Sequence, residues 1–345
     1  KRDGTLRGAP YTLRAMLSSG LYFLGFMTAC CLLYVRALFI KGNLDDKKKF
    51  HRLLQRVAKI THHIPGVPFR VDNPQNVSLD KPSVIIANHS SSFDVLCLLT
   101  LHPYLLFVTN DSQQRNPFYG KILKRADFYP VSVGYDVLTN RLKPFVEAGF
   151  SVVVFPEGTR STDGEIHRFH QGAFYLAESL GLPITPVMIH GAGDAFPKGE
   201  LVIRRGAITV QILPTIQRDD SLLFADNQLA TSRNFRHYFM DCFSRFAAEV
   251  STVDYCKNIV RRNYIYKGYD VWKSVSNSLD DFVYSPENYA NLHQIVFNKC
   301  GYGATAFLVA LMRPDAEVVG IDDEVHLDVA RNCREVPGNL RYEVQ

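Results

Sequence analysis

His89 and Asp94 stand five residues apart in "ANHSSSFDV", Ala87–Val95. An imidazole beside a carboxylate is the pairing that general-base chemistry needs. The carboxylate holds one ring nitrogen and so fixes the tautomer, and the other nitrogen is left to take a proton. With 11 histidines in the chain, a His and an Asp at this spacing are expected roughly once by chance. Geometry restricts the pair further, because side chains five residues apart on a continuous helix point roughly 140° away from each other. The two meet only if His89 lies in a turn and Asp94 in the first helical turn after it. Asn88, Ser90, Ser91 and Ser92 favour that arrangement as turn and N-cap residues. Taken alone, the stretch reads equally as a loop histidine followed by an aspartate cap.

A second stretch, "VVVFPEGTRS" over Val152–Ser161, sets an apolar run directly before Glu157, Gly158, Thr159 and Arg160. Gly158 permits close approach of the backbone to a ligand. Arg160 offers a planar fork for a phosphate or carboxylate, and Glu157 accepts hydrogen bonds from hydroxyls. Without chemistry, the same residues are an ordinary strand-to-loop turn.

The surrounding elements would have to bring these stretches together. From about Val67 to Ser251, strand-like and helix-like pieces alternate. "PSVIIANH", "YLLFVTN", "FYPVS", "FSVVVFPEG", "PITPVMIH" and "AITVQIL" read as short buried strands. "RLKPFVEAG", "HQGAFYLAESLG" and "NFRHYFMDCFSRFAAEVS" have helical spacing, two of them ending at Gly. The rhythm predicts an α/β domain with a sheet flanked by helices.

"NHSSSFD" followed by "FPEGTRS" resembles the membrane glycerolipid acyltransferases of the 1-acylglycerol-3-phosphate acyltransferase type. "GLPITPVMIHG", Gly181–Gly191, is similar to that family's later Pro-containing strand, and "RFHQGAFYLA" to the segment after its Glu-Gly-Thr-Arg motif, with His170 and Gln171 where the family often has lysines. The resemblance covers roughly residues 13–250. It implies a mixed, mostly parallel sheet and transfer of a fatty acyl group from coenzyme A or acyl carrier protein to a lipid hydroxyl, with no cofactor. It implies His89 and Asp94 as catalytic, and Asn88, Glu157, Gly158, Thr159 and Arg160 as substrate-binding. No covalent intermediate is required, so Ser90, Ser91, Ser92 and Cys97 read as turn and helix residues. One departure bears on the acceptor: the family usually carries an arginine between the two motifs, and this chain has none near Ser132. Arg125 and Arg141 lie nearby, out of pattern.

Upstream, "AMLSSGLYFLGFMTACCLLYV" between Arg14 and Arg36 carries no charge and is just long enough to cross a hydrocarbon core. It reads as a membrane anchor, spanning or lying in the interface as a bent helix pair, with a buried core helix as the alternative. Basic residues are denser after it (Arg36, Lys41, Lys47, Lys48, Lys49, Arg52, Arg56) than before it (Lys1, Arg2, Arg7, Arg14). That excess predicts attachment to the cytoplasmic face of a cell membrane. A first residue of Lys rather than Met reads as a cut from a longer chain with further domains.

The remaining 253–345 reads as a linker and a second, truncated unit. "IVFNKCGYGATAFLVALMRPDAEVVGIDDE" has the order strand, Gly-x-Gly turn, helix, strand, acidic end. It resembles the opening of a class I S-adenosylmethionine-dependent methyltransferase. The resemblance implies Gly301, Gly303 and Asp322 as contacts to a nucleoside cofactor in a Rossmann-like βαβ tail. Phe297 and Lys299 stand where it expects an acidic residue and a glycine, so this fragment is not expected to methylate. The whole layout, an acyltransferase joined to a methyltransferase-like segment, resembles bacterial multifunctional lipid- or pigment-pathway proteins, and a bacterial setting is implied by that resemblance only. The layout is therefore 1–66 membrane-associated, 67–252 acyltransferase, and 253–345 tail.

Composition excludes other classes. With 39 Lys+Arg against 34 Asp+Glu the net charge is only +5, and no basic stripe interleaved with aromatics appears, so a nucleic-acid partner is not expected. Seven cysteines without a paired spacing predict neither a zinc site nor a disulfide framework. Three rivals stay open: a hydrolase using the same pair on water, a non-catalytic lipid-binding module, and a methyltransferase acting through the tail.

Overall fold

The computed structural model describes residues 9–345 except 41, 65, 77–80, 118, 163, 200, 201, 205, 265, 266 and 334, with side chains from Met16 onward. Lys1, Arg2, Arg7 and Lys41, and the side chain of Arg14, lie outside the described residues. The chain divides into two compact units, one of residues 18–203 with 207–248, the other of 249–345 with 1–17 and 204–206.

The larger unit begins with two helices, α1 (Ala9–Leu38, which starts ahead of the unit) and α2 (Leu44–Thr61). There follow β1 (Phe69–Asp72), β2 (Val84–Ala87), α3 (Phe93–Leu101), β3 (Leu105–Thr109), α4 (Asp111–Gln114), α5 (Gly120–Arg125), β4 (Tyr129–Pro130), α6 (Tyr135–Glu147) and β5 (Ser151–Val154). The unit closes with α7 (Gly172–Leu180), β6 (Ile184–His190), α8 (Ala192–Ala195), β7 (Ile208–Ile212) and α9 (Gln228–Val250). The strands form one seven-stranded sheet in the order β1-β7-β6-β2-β5-β3-β4. Every neighbouring pair is parallel except β6 and β7. β2 and β5 are buried along their whole length. Helices cover both faces of such a strand, so it reads as an unbroken apolar run rather than an alternation. β1 has no such run in the sequence, and β7, legible as the apolar run "AITVQIL", gives no sign of its antiparallel direction.

Helix boundaries follow local chemistry. Asn43 caps α2 by accepting from the Asp46 N–H, and Gly181 ends α7 in the left-handed conformation. α1 has two unlike faces. Ser19, Cys30, Leu33 and Ala37 are buried, and the Ser19 hydroxyl accepts from the Ile203 N–H at 2.9 Å. Tyr22 packs edge-on to Phe93 and Phe23 against Phe196, and the Tyr22 hydroxyl donates to the carbonyl of Thr61. On the other face Leu21, Leu24, Leu32, Val35 and Leu38 are exposed, as is Phe39 just past the helix end. The segment Met16–Leu38 is long and apolar enough to cross a membrane, with mean hydropathy 1.7.

The smaller unit holds α10 (Val253–Asn263), α11 (Tyr269–Asp281), β8 (Gln294–Asn298), α12 (Ala304–Met312), β9 (Glu317–Asp322), α13 (Glu324–Arg331) and β10 (Leu340–Val344). Its three strands are parallel in the order β10-β9-β8. α12 is mostly buried, which suits a crossover helix packed on a small sheet.

Candidate functional site

Ligand crevices in open α/β sheets form beyond the carboxyl ends of the strands, and the two stretches quoted above leave β2 and β5 at that edge. Asn88 follows β2. Its side-chain amide donates to the Ile189 carbonyl and its oxygen accepts from the Ile189 N–H, both at 2.8 Å. It therefore extends the β2–β6 ladder by one side-chain rung and spends its polar atoms on that role.

The turn after Asn88 is built around one oxygen. Asp94 Oδ2 accepts from the backbone N–H groups of Ser90 and Ser91, both at 2.7 Å, and lies 2.8 Å from His89 Nδ1. Asp94 is fully buried, in the first turn of α3 where the helix dipole favours negative charge. Its hydrogen bond assigns the proton of the neutral imidazole to Nδ1 and leaves Nε2 as the acceptor. The ring is clamped from its face by Phe155, stacked at 4.0 Å between centroids and 17° from parallel. The imidazole thus has one orientation and one free nitrogen.

Glu157 does not point outward. It is 4% exposed, and its two oxygens accept from the backbone N–H groups of His89 at 3.0 Å and His167 at 3.1 Å. The Ser161 N–H returns the bond by donating to the His89 carbonyl at 2.7 Å. Burial pushes the Glu157 carboxyl above its usual range, and the two N–H donors pull it partly back. Gly158 has φ +69, and a Cβ there would lie 3.2 Å from the His170 ring, so both the backbone and the space favour glycine. Arg160 reaches across to donate to the Ser92 hydroxyl at 2.8 Å.

Three contributors were not legible in the pattern. Gly193 abuts Ser90 so closely that a Cβ would come within 2.9 Å of its Cβ. The Ser91 hydroxyl donates to the Phe196 carbonyl, and the Phe196 ring stacks on Phe93. This fixes the segment after β6 against the His89 turn and brings Lys198 to the Thr159 hydroxyl (3.3 Å) and the Arg160 carbonyl (3.5 Å). The only sequence signal was the Gly-rich run "GAGDAFPKG" after a strand. Ser132, where the resemblance expects an arginine, is exposed and donates to an Asp111 carboxylate oxygen. Arg141 lies over the Tyr129 ring.

In the smaller unit Gly301, Gly303 and Asp322 come together at the carboxyl ends of β8 and β9. The Gly301 N–H donates to Asp322 Oδ2 at 2.7 Å. Asp322 Oδ1 accepts from the Asp323 N–H and meets His326 Nδ1, each at 2.9 Å. These contacts, led by the Asp323 N–H, lower the Asp322 carboxyl. Tyr342 fills the space over Gly303, where a Cβ would lie 2.5 Å from its ring. Asp322 Oδ1 takes two of these contacts and Oδ2 one, so Oδ2 keeps a further acceptor site. Asp322, Asp323 and His326 bring their ligand atoms within 4.8 Å of one another. Capping of α13 by Asp323 already accounts for that cluster.

Residues 68–190 match the family model described as Acyltransferase. The chain is 31% identical over 201 residues to a chloroplastic 1-acyl-sn-glycerol-3-phosphate acyltransferase of Brassica napus, covering 54% of this chain and 57% of the relative. It is 27% identical over 194 residues to the enzyme of that name from Pseudomonas aeruginosa, covering 53% and 74%. The crystal structure of the 1-acyl-sn-glycerophosphate acyltransferase from Thermotoga maritima superposes with a TM-score of 0.58 at 20% identity, over 70% of this chain and 98% of that one. The chain spans about half the length of the first plant relatives, 57% for Brassica napus and 48% for Arabidopsis thaliana. The relatives come from plants, an alga, a bacterium and man, so they give no support to a bacterial source in particular.

Proposed function

We propose that this chain transfers a fatty acyl group from a thioester, on coenzyme A or acyl carrier protein, to the hydroxyl of a membrane lipid resembling a 1-acylglycerol phosphate. The observation that carries the reading is the His89–Asp94 pair: one imidazole nitrogen bound to a buried carboxylate, the ring clamped by Phe155, and the other nitrogen free beside the Glu157–Arg160 turn. Nε2 of His89 takes the hydroxyl proton as the acceptor oxygen attacks the thioester carbonyl carbon. The C–S bond then breaks and the thiolate recovers that proton from the imidazolium. Asp94 orients the ring and stabilises its charged form. Asn88 and Glu157 act by positioning, since their polar atoms hold backbone. Arg160 and Lys198 are the two cations beside the turn, and they receive the acceptor's polar head in place of the arginine missing near Ser132.

The two faces of α1 support membrane association in the plane of the surface. One face is packed on the sheet unit from Ser19 to Ala37, and the other exposes large apolar side chains from Met16 to Leu38. A spanning helix is apolar all round, whereas an interfacial one buries a single stripe in the lipid. The excess of positive charge after α1 supports a cytoplasmic side for the unit. No methyl transfer belongs to this proposal, because Phe297 and Lys299 stand where that resemblance expects an acidic residue and a glycine.

The test is a panel of lipid acceptors, phosphorylated and not, incubated with the chain and a labelled acyl thioester and read by mass spectrometry. Acylated acceptor is the expected product. Free fatty acid alone would identify a hydrolase and end the transfer reading.

A further inference from the structure

Between the last turns of α1 and helix α5 lies a cavity of about 290 Å³ lined by Tyr34, Ala37, Leu38, Lys121, Lys124 and Arg125. Its floor is apolar and its rim carries three exposed cations. Lys121 donates to the Tyr34 hydroxyl at 2.9 Å and sits 5.1 Å from the centre of that ring. None of the three cations pairs with a carboxylate among the described residues.

Helix stability explains only part of this. Lys124 and Arg125 suit the C-terminal turn of α5, where the dipole favours positive charge. Lys121 occupies the first turn, where the dipole opposes it. Neither position requires an apolar hollow beside it. Leu38, which lines the hollow, also belongs to the exposed apolar stripe of α1. An occupant must therefore be anionic at one end and apolar at the other, and it must be delivered from the side of the exposed stripe.

We infer that this cavity binds the phosphate-bearing head group of an anionic glycerophospholipid in the membrane surface. Lys121, Lys124 and Arg125 surround the phosphate. The glycerol and first acyl carbons lie along Tyr34, Ala37 and Leu38, and the remaining chains stay in the bilayer. A volume of about 290 Å³ admits a head group and not a whole lipid. The inference rests on the in-plane reading of α1 and is independent of the acyl-transfer reading.

Vesicle flotation with the full chain tests it, using phosphatidylcholine alone and phosphatidylcholine mixed with phosphatidylglycerol. Lys124→Gln is expected to weaken binding to the mixed vesicles about fivefold, and the Lys121→Gln, Lys124→Gln, Arg125→Gln triple variant on the order of a hundredfold. Binding to phosphatidylcholine alone should not change. Lys143→Gln, which removes the same charge from α6, should leave both unchanged. Dihexanoyl phosphatidylglycerol below its micelle concentration should compete, and inorganic phosphate at the same concentration should not. Acyl transfer to detergent-dispersed acceptor should be retained in the triple variant, which separates this inference from the mechanism above. Equal losses in Lys124→Gln and Lys143→Gln would overturn the inference in favour of diffuse surface charge. Competition by phosphate alone as strong as by the short lipid would overturn the apolar half.

Discussion

The two units repeat one motif with opposite consequences. In each, a histidine Nδ1 meets an aspartate beside a turn at the carboxyl edge of parallel strands, at 2.8 Å for His89–Asp94 and 2.9 Å for His326–Asp322. The distances do not separate them. The His89 and Asp94 side chains are 17% and 0% exposed, against 37% and 12% for His326 and Asp322. Charge interactions weaken as solvent enters, so the first pair is held rigidly and the second is a solvated helix-start contact. The partners of the carboxylate differ as well. Asp94 uses a single oxygen for the turn and the ring together, whereas Asp322 commits both oxygens to closing its own loop. A His–Asp contact becomes a candidate for catalysis through burial and a free second nitrogen, and proximity alone does not make it one.

The largest contrast should appear in turnover. His89→Ala and Asp94→Asn are expected to lower acyl transfer by about 10²–10⁴-fold with the fold intact by circular dichroism. His326→Ala and Asp322→Asn should leave it unchanged. Equal effects from the two pairs in steady-state kinetics would abolish the distinction drawn above.

Next in size is an acid-stability effect confined to buried imidazoles. His51 lies edge-on to Phe150, and burial, opposed in part by a backbone contact to Ala126, lowers it to about 4. Its folded value lies below its unfolded one. The stability it permits is complete above about pH 6.5 and is lost as pH falls toward 4, by about 3 kcal/mol at most. His51→Leu should flatten that limb of the Tm-against-pH curve, and a thermal-denaturation series in which the variant keeps the wild-type slope would refute the assignment.

Loss of a buried bridge comes third. Glu157→Ala strands two backbone donors and should cost about 1–3 kcal/mol of stability, with a fall in kcat as the His89 turn loosens. Glu157→Gln should recover most of the stability. An effect on acceptor KM alone would return Glu157 to direct substrate contact. The smallest effect is expected from Lys198→Gln, a rise of about tenfold in KM for phosphorylated acceptors with kcat preserved. The same rise for an uncharged acceptor would remove Lys198 from the head-group role.

Much of this was readable along the chain. Buried strands of a mostly parallel sheet announce themselves as continuous apolar runs, and "SVIIA" and "SVVVF" did so for β2 and β5. β1 and the antiparallel β6–β7 pairing carried no comparable signal, because strand direction depends on where the chain returns. Within the site, the residue types at 89, 94 and 157–160 suggested acid–base and anion chemistry. The inward role of Glu157 was hidden, because a carboxylate looks the same in sequence whether it faces a substrate or two N–H groups. Phe155 read only as the end of a strand, and Lys198 as one lysine among many.

Local order was enough to specify the alternation of elements, the serine-rich turn that lets a histidine and an aspartate five residues apart converge, and the apolar α1 segment. Those features depend on neighbours within a few positions, which propensity and periodicity encode directly. Burial of Asp94, the stacking of Phe155 on His89, the outward face of α1 and the meeting of Lys198 with the Thr159–Arg160 turn were decided in three dimensions. Each depends on contacts between segments tens of residues apart, and only the packed sheet brings those segments within bonding distance.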